Sequence, residues 1–387
     1  MKGHIRSRGK KSWTIYLYLG RDEHGKHKYR THTFKGSRKE AEQEQTRLVN
    51  EVNRGTYVEP TRMTVGEFLE KWLSDYASAK VSPKTLERYR EIVECHLIPA
   101  LGKHLLHKLK PLPIQSYYAE ALRTGRRDGS GGLKAQTVLH HHRVLRQALG
   151  QAVKWQILAF NPASATEPPR PDRREMKVLD ESNVAQVLKL VRKSSIHIEI
   201  LIAVTTGMRR GEILALRWTD VDLKKASLAV QQSLEQTRAG GLRFKRPKTE
   251  RSRVIVLPAL VVEALKRHRA EQATRRLQLG PAYKDADLIC CLVDGTPRSP
   301  AGLTRAFRDL LADKKLPRVR FHDLRHTHAT LLLSQGTHPK VVSERLGHST
   351  VGITLDTYSH VLPSMQEEAA QQLNASLRAA MGRAKRR

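Results

Sequence analysis

Cysteine, aromatic side chains and acid are all scarce in this 387-residue chain. Its three cysteines, Cys290 and Cys291 side by side and Cys95 alone, cannot build a disulfide framework, which points to a reducing cytoplasm. Phe, Trp and Tyr make up 5% of the residues, too few for a stacking platform on which single-stranded bases could lie. No window approaches the length of a membrane span, and no apolar stretch follows the basic N-terminus as it would in a secretory signal. The shortage of acid says most. Asp and Glu total 38 against 70 Lys and Arg, a formal net charge of +32. Such an excess opposes a compact chain unless a polyanion offsets the self-repulsion. Duplex nucleic acid, gripped through its phosphates, is the partner that fits. A merely soluble basic protein, or a ribosomal-type RNA binder, has the same balance.

The length allows two or three domains, each with its own core. In residues 1–58, Trp13, Ile15, Leu17 and Leu19 alternate with Thr14, Tyr16 and Tyr18, the period of a half-buried strand. Arg21–Lys26 supplies turn residues before a second strand over Lys28–Phe34. Ser37 and Glu40 then form a capping box that opens a helix to about Arg54. Residues 62–165 read as all-helical. Thr64 and Glu67 form a second capping box before Phe68, Leu69, Trp72 and Leu73. Ser82-Pro83 opens a helix over Thr85–Leu97, and another covers Ile114–Arg123. A glycine-rich basic loop, Gly125–Gly132, precedes a long helix from Ala135 to Leu158. Residues 166–177 combine prolines with charge and form a linker. Residues 178–387 read as helices, a β stretch over Leu228–Leu257, and helices again. The last of these spans Ser364–Met381 after Pro363, with Leu373, Leu377 and Met381 as an apolar stripe too sparse to fold alone. The expected fold class is multidomain α+β: a small N-terminal β-sheet and helix module, an all-helical domain, and a mainly helical domain with a small antiparallel sheet.

Chemistry concentrates in the last of these. His322-Asp323-Leu324-Arg325-His326 follows Thr206-Gly207-Met208-Arg209-Arg210-Gly211-Glu212 and Lys248, and precedes Leu346-Gly347-His348 and Tyr358. Two arginines, a lysine, histidines and a tyrosine can attack a phosphodiester, neutralise the charge that develops and protonate the leaving oxygen. A tyrosine hydroxyl, with a pKa of about 10, needs help in losing its proton. The departing 5′-oxygen needs an acid, and losing one fixed donor to the phosphate commonly costs about 10²–10³ in rate. In this order and spacing the motifs resemble the active site of the tyrosine recombinases, the phage integrase family. The gap from His348 to Tyr358 is one residue longer than in the family's shortest members.

The resemblance implies a role for each matching residue. Tyr358 is the nucleophile, Arg209 and Arg325 clamp the phosphate, and His322 and His348 handle protons or donate to a non-bridging oxygen. Lys248 is the general acid, with Lys245 as its rival. Glu212 is either a support that orients a catalytic side chain or an ordinary helix-surface carboxylate. Arg210, His326 and His328 have no matching role; Arg210 reads as a surface or backbone contact, and the two histidines as packing or capping residues. The implied reaction is site-specific recombination through a 3′-phosphotyrosyl intermediate, integrating or excising a mobile element, with no cofactor and no metal. The implied partners are double-stranded DNA at core-type and arm-type sites and three further copies on that DNA, a homotetramer, with no membrane. A DNA-bending host factor and an excisionase are the accessory partners the resemblance admits. Residues 1–58 resemble an arm-binding module, with a structural appendage as the alternative, and 62–165 resemble a core-binding domain.

Several other readings lose ground. Gly20–Lys26 has the spacing of a phosphate loop, but His27 stands where Ser or Thr is needed. His322 and His326 have the spacing of a zinc pair, but Asp323 replaces the glutamate such a motif requires. His140, His141 and His142 cannot all point one way on a helix. A metal-dependent nuclease or transposase would need an acidic trio, and none stands out. A catalytically silent DNA-binding regulator on the same fold would not need every catalytic position filled. A type IB topoisomerase would share the chemistry.

Overall fold

The structure is a computed structural model that describes residues 3–21, 23–54, 57–58, 61–172, 176–247, 252–312, 316–358, 370–371, 373–378 and 381. The chain divides into two compact units, Met1–Arg173 and Arg174–Arg387.

The first unit holds two separate hydrophobic cores. The smaller belongs to an antiparallel sheet of β1 (His4–Gly9), β2 (Ser12–Arg21) and β3 (His27–Lys35), in that order, with α1 (Arg38–Asn53) against it. Alternation along β2 buries Ile15 and Leu17 against Leu48 of α1. The opposite face carries Tyr16, stacked on His4 at 4.3 Å, and Tyr18 beside Tyr29. The expected capping box opens α1, with Ser37 and Glu40 bonded reciprocally. The sequence reading missed β1, because only Ile5 in His-Ile-Arg-Ser-Arg-Gly marks a buried side. The side chain of Leu19 lies outside the described residues.

The larger core is helical. α2 (Val65–Trp72) begins at a second reciprocal capping box, Thr64 with Glu67, and runs on through a wide turn at Leu73–Ala77. α3 (Pro83–Ile92), α4 (Pro111–Thr124) and α5 (Ala135–Lys154) complete the bundle around Phe68, Trp72, Leu97, Leu145 and Leu149. Two pairs of buried polar groups meet inside it. The Tyr117 hydroxyl lies 2.7 Å from His141 Nδ1, and that of Tyr118 2.8 Å from His142 Nδ1. Two buried rings on adjacent residues of α5 thus meet two tyrosines of α4, which accounts for two of the three consecutive histidines.

In the second unit, α6 (Glu181–Val191) leads to α7 (His197–Thr206), which is buried nearly all round through Ile198, Ile200, Leu201, Ile202, Ala203 and Val204. α8 (Arg210–Leu214) follows. The single β stretch read from sequence is two small sheets. One comprises β4 (Val221–Asp222), β5 (Ser227–Val230) and β8 (Arg253–Val256), and the other β6 (Ser233–Thr237) and β7 (Gly241–Lys245). Then come α9 (Ala259–Leu279), α10 (Pro300–Ala312), α11 (Asp323–Ser334), α12 (Pro339–Leu346) and α13 (Val351–Tyr358). Of the expected tail helix, 370–371, 373–378 and 381 are helical, with Leu373, Leu377 and Met381 exposed. Pro363 lies outside the described residues. Among the described residues no helix is long and apolar enough to cross a membrane.

Burial, helped by His96 and Arg88 nearby, pushes the His141 imidazole down to about 4. A depressed histidine favours the folded state while it is neutral. That contribution is complete above the ordinary value of about 6.5 and is lost as pH falls toward 4. His141→Asn, which keeps an acceptor for Tyr117 but does not titrate there, should flatten the loss of stability between pH 6.5 and pH 4. Urea titrations of both proteins across that range check it.

Candidate active site

α7 ends at Gly207, where φ is +65° and a Cβ would come within 2.6 Å of both His328 and Leu346. Glycine alone fits there, and the turn it makes brings Arg209 to the head of α8. Glu212, in the first turn of α8, is buried and collects four donors. These are the Arg209 backbone N–H at 3.0 Å, Arg209 Nη1 at 2.9 Å, and Arg253 Nη2 and Nη1 at 2.6 and 3.3 Å. Arg253 opens β8, and its Nε also donates to the Arg345 carbonyl at 2.9 Å. Arg209 Nη2 donates to the Gly347 carbonyl at 3.1 Å, and Arg325 Nη1 on α11 donates to the Gly207 carbonyl at 2.7 Å. Gly347 caps α12 with φ +67°, and a Cβ there would sit 2.9 Å from Arg253 Nη1.

Three guanidinium groups thus gather round one carboxylate. Burial alone would raise the Glu212 carboxyl, but Arg253 and Arg209 outweigh it and hold it below the ordinary range. Arg325 is pushed down to about 9 by burial and by Arg209 and Arg253, against the opposing pull of Glu212 and Tyr358. It stays charged at neutral pH in a site with more cation than anion. His348 is held near 4 by burial, Arg325 and Arg209, and its Nδ1 lies 2.8 Å from Thr354 Oγ1. His322, at the head of α11, is also near 4 through burial, His326 and Arg325. Tyr358 ends α13 with 1% of its surface exposed, packed among Ala329, Leu333, Val342 and Leu346. Burial pushes its hydroxyl up to about 12, with Arg325 pulling the other way. That hydroxyl lies 2.9 Å from His326 Nδ1.

Residues 177–365 match the phage integrase family, and residues 64–122 match the phage integrase N-terminal SAM-like domain. A XerC-like tyrosine recombinase of Caldanaerobacter subterraneus subsp. tengcongensis is 27% identical, over 95% of this chain and 96% of its own. The chain belongs to the phage integrase family. An integrase of Streptomyces ambofaciens is 28% identical over 92% of each chain, and the ICEBs1 integrase of Bacillus subtilis 26% identical over 76% and 78%. Among solved structures, the Tn1549 transposon integrase bound to transposon right end DNA superposes with a TM-score of 0.68 at 20% identity, covering 81% of this chain and all of that one. A lambda integrase dimer on a core site gives 0.55 at 18% identity, over 92% and 94%. These two likenesses concern the fold, which is multidomain α+β. By its family the chain is an enzyme, a tyrosine-type site-specific recombinase of the integrase kind. Neither a silent regulator nor a metal-dependent nuclease is favoured.

In this integrase fold, five of the residues picked from sequence are grouped round Tyr358: Arg209, Glu212, His322, Arg325 and His348. Lys248 lies outside the described residues. The strands flanking it, β7 and β8, belong to different sheets, so those two strands do not form a hairpin with each other. Its rival Lys245 is paired with Glu235 across the β6–β7 ladder. Arg210, read from sequence as a surface or backbone contact, is half-buried and donates to the Thr304 hydroxyl. His328 is buried and bonded to the Val204 carbonyl, as a packing residue would be. Two residues were missed. Arg253 carried no motif signal, because its partner Glu212 lies 41 positions away. His326, read as packing or capping, faces the tyrosine. Its only clue was the i,i+4 spacing from His322, which looked like a rejected zinc pair.

Removing one member of a buried ion cluster leaves the others uncompensated, at a cost of about 3–5 kcal/mol. Glu212→Ala should therefore destabilise the second unit by about that much. Urea unfolding that shows a loss below about 1 kcal/mol would mean that Arg209 and Arg253 are stabilised elsewhere.

Proposed function

We propose that this recombinase cuts double-stranded DNA with Tyr358 and that Arg209, Arg325, His322 and His348 serve the transferring phosphoryl group. The observation that carries the reading is the surplus of fixed positive charge beside a buried tyrosine: Arg209 and Arg253 share the Glu212 carboxylate, and Arg325 stands close by on the Gly207 carbonyl. A phosphodiester brings the missing negative charge. Guanidinium forks suit its non-bridging oxygens, and such preorganised donors gain strength where water is excluded. The tyrosine oxygen attacks phosphorus, the bond to the 5′-oxygen breaks, and a 3′-phosphotyrosyl link holds the energy of the broken bond. A 5′-hydroxyl from the partner duplex then attacks that link and frees the tyrosine, so no cofactor enters the balance. Glu212 orients Arg209 and Arg253 and touches no reacting atom. Lys248 protonates the departing 5′-oxygen.

The rest of the assignment follows the same reading. Exchange between two duplexes, one strand at a time, calls for four copies of the chain on DNA. Residues 62–165 grip the core site and residues 1–58 an arm site, with 166–177 as the linker and 178–387 as the catalytic part. A DNA-bending host factor and an excisionase are the natural accessory partners, and the cytoplasm is the compartment. The tail carrying Leu373, Leu377 and Met381 exposes an apolar stripe that a neighbouring copy can cover.

Tyr358→Phe should keep duplex binding and abolish covalent capture on a nicked suicide substrate, because only the nucleophilic oxygen is lost. Continued capture would remove Tyr358 from the mechanism. Lys248→Ala should slow cleavage of an ordinary phosphodiester by about 10²-fold or more, and far less when sulfur replaces the 5′-bridging oxygen. Sulfur leaves without a proton, so equal defects on both substrates would move the acid elsewhere, first to Lys245.

A further inference from the structure

The proposed chemistry leaves one proton without a destination, the one on the Tyr358 hydroxyl. We infer that His326 takes it: His326 Nδ1 is the base that receives the phenolic proton as the Tyr358 oxygen attacks phosphorus. The inference rests on Tyr358 being the nucleophile. His326 Nδ1 stands 2.9 Å from Tyr358 Oη, within the reach a general base requires. Among the described residues, neither of the other two histidines of the site is hydrogen-bonded to that hydroxyl. His348 Nδ1 meets the Thr354 hydroxyl at 2.8 Å, and the His322 ring stands edge-on to His326 at 5.1 Å between centres.

The electrostatics of the pair suit a transfer made in step with the attack. Burial raises the tyrosine hydroxyl to about 12, so a free phenolate hardly forms at neutral pH and the proton has to leave as the new bond forms. Burial lowers the His326 imidazole, which therefore stays neutral with a lone pair free to accept. The charged and titratable groups facing it, besides Tyr358, are Asp323, which favours protonation, and Arg325, Arg320, His322 and His348. Asp323 is itself anchored by Arg320 at 2.7 Å, so a carboxylate is fixed near the imidazolium that the transfer creates. Placement is also rigid. His326 follows Arg325 directly on α11, so one helix carries a phosphate-clamping arginine and the base.

The step balances. The Tyr358 O–H bond breaks as its oxygen bonds to phosphorus, and the proton moves to Nδ1. The bond from phosphorus to the 5′-oxygen breaks, and that oxygen leaves with a proton from the acid. In the reverse step the incoming 5′-hydroxyl gives its proton back to the deprotonated acid as its oxygen attacks phosphorus, and the tyrosine oxygen recovers its own proton from the His326 imidazolium. The same group thus serves cleavage as base and rejoining as acid.

The test makes the nucleophile easier to ionise and asks whether the base still matters. Full-length protein is prepared with Tyr358 or with a ring-fluorinated tyrosine at position 358, each with His326 or with His326→Ala or His326→Asn. Single-turnover cleavage is followed on a nicked duplex carrying the attachment sequence that flanks the element, and gel shifts on that duplex check folding and binding. With ordinary tyrosine both variants should bind normally and cleave about 10²–10⁴-fold more slowly. Asn places Oδ1 where Nδ1 stood, so it keeps a hydrogen bond but cannot take the proton, and it should not rescue. With the fluorinated tyrosine, which sheds its proton more readily, the defect of both variants should shrink at least tenfold. Near-normal cleavage by His326→Ala, rescue by His326→Asn, or equal defects with both tyrosines would overturn the inference; the last two outcomes would leave His326 a positioning residue. Covalent capture by Tyr358→Phe would instead remove the nucleophile assignment itself, so the two failures are told apart.

Discussion

The site depends on the sharing of one buried carboxylate by two arginines. Glu212 accepts from Arg209 on its own helix and from Arg253 at the start of β8, and no water-exposed substitute could hold both side chains so firmly. An exposed ion pair contributes little because solvent screens it and the side chains must be ordered. A buried one is different in kind, since each partner would be costly without the other. The carboxylate therefore fixes where the guanidinium groups stand before any substrate arrives. Placement of donors in advance is what lets them stabilise developing charge without reorganising.

The hydrophobic packing serves that placement. α7 is buried nearly all round, so its C-terminal turn at Gly207 delivers Arg209 at a fixed angle. The Gly207 carbonyl then anchors Arg325, and the Gly347 carbonyl anchors Arg209, which ties α7, α8, α11 and α12 together. Main-chain acceptors at two left-handed glycines thus orient the arginines in place of further carboxylates. More carboxylates would have cancelled the positive charge. Carbonyls orient the arginines and leave the site cationic.

Burial of Tyr358 sets the proton problem that the surrounding histidines face. Sequestering the hydroxyl protects it from solvent and aligns it, and it also makes ionisation harder. The same burial holds His322 and His348 near 4 and lowers His326, so the histidines of the site are neutral near pH 7. On the proposed mechanism, permanent charge comes from arginine and exchangeable protons from imidazole.

Local signals in the sequence determined the helix starts and the motif residues. The boxes Ser37 with Glu40 and Thr64 with Glu67 each span three positions, so both partners of the interaction are visible at once. The motif residues Arg209, His322, Arg325, His348 and Tyr358 were legible because each sits in a short pattern that the family also carries. Tertiary structure alone decided the contacts between distant positions. Arg253 reaches Glu212 across 41 residues, His326 reaches Tyr358 across 32, and Arg209 reaches the Gly347 carbonyl across 138. None of these leaves a period or a spacing to read, because a side chain's burial and partner depend on elements that pack only after the chain has folded. For the same reason the sequence left Glu212 open between an orienting support and a surface carboxylate, and β1 escaped notice because its partner strand, not its own residues, makes it a strand.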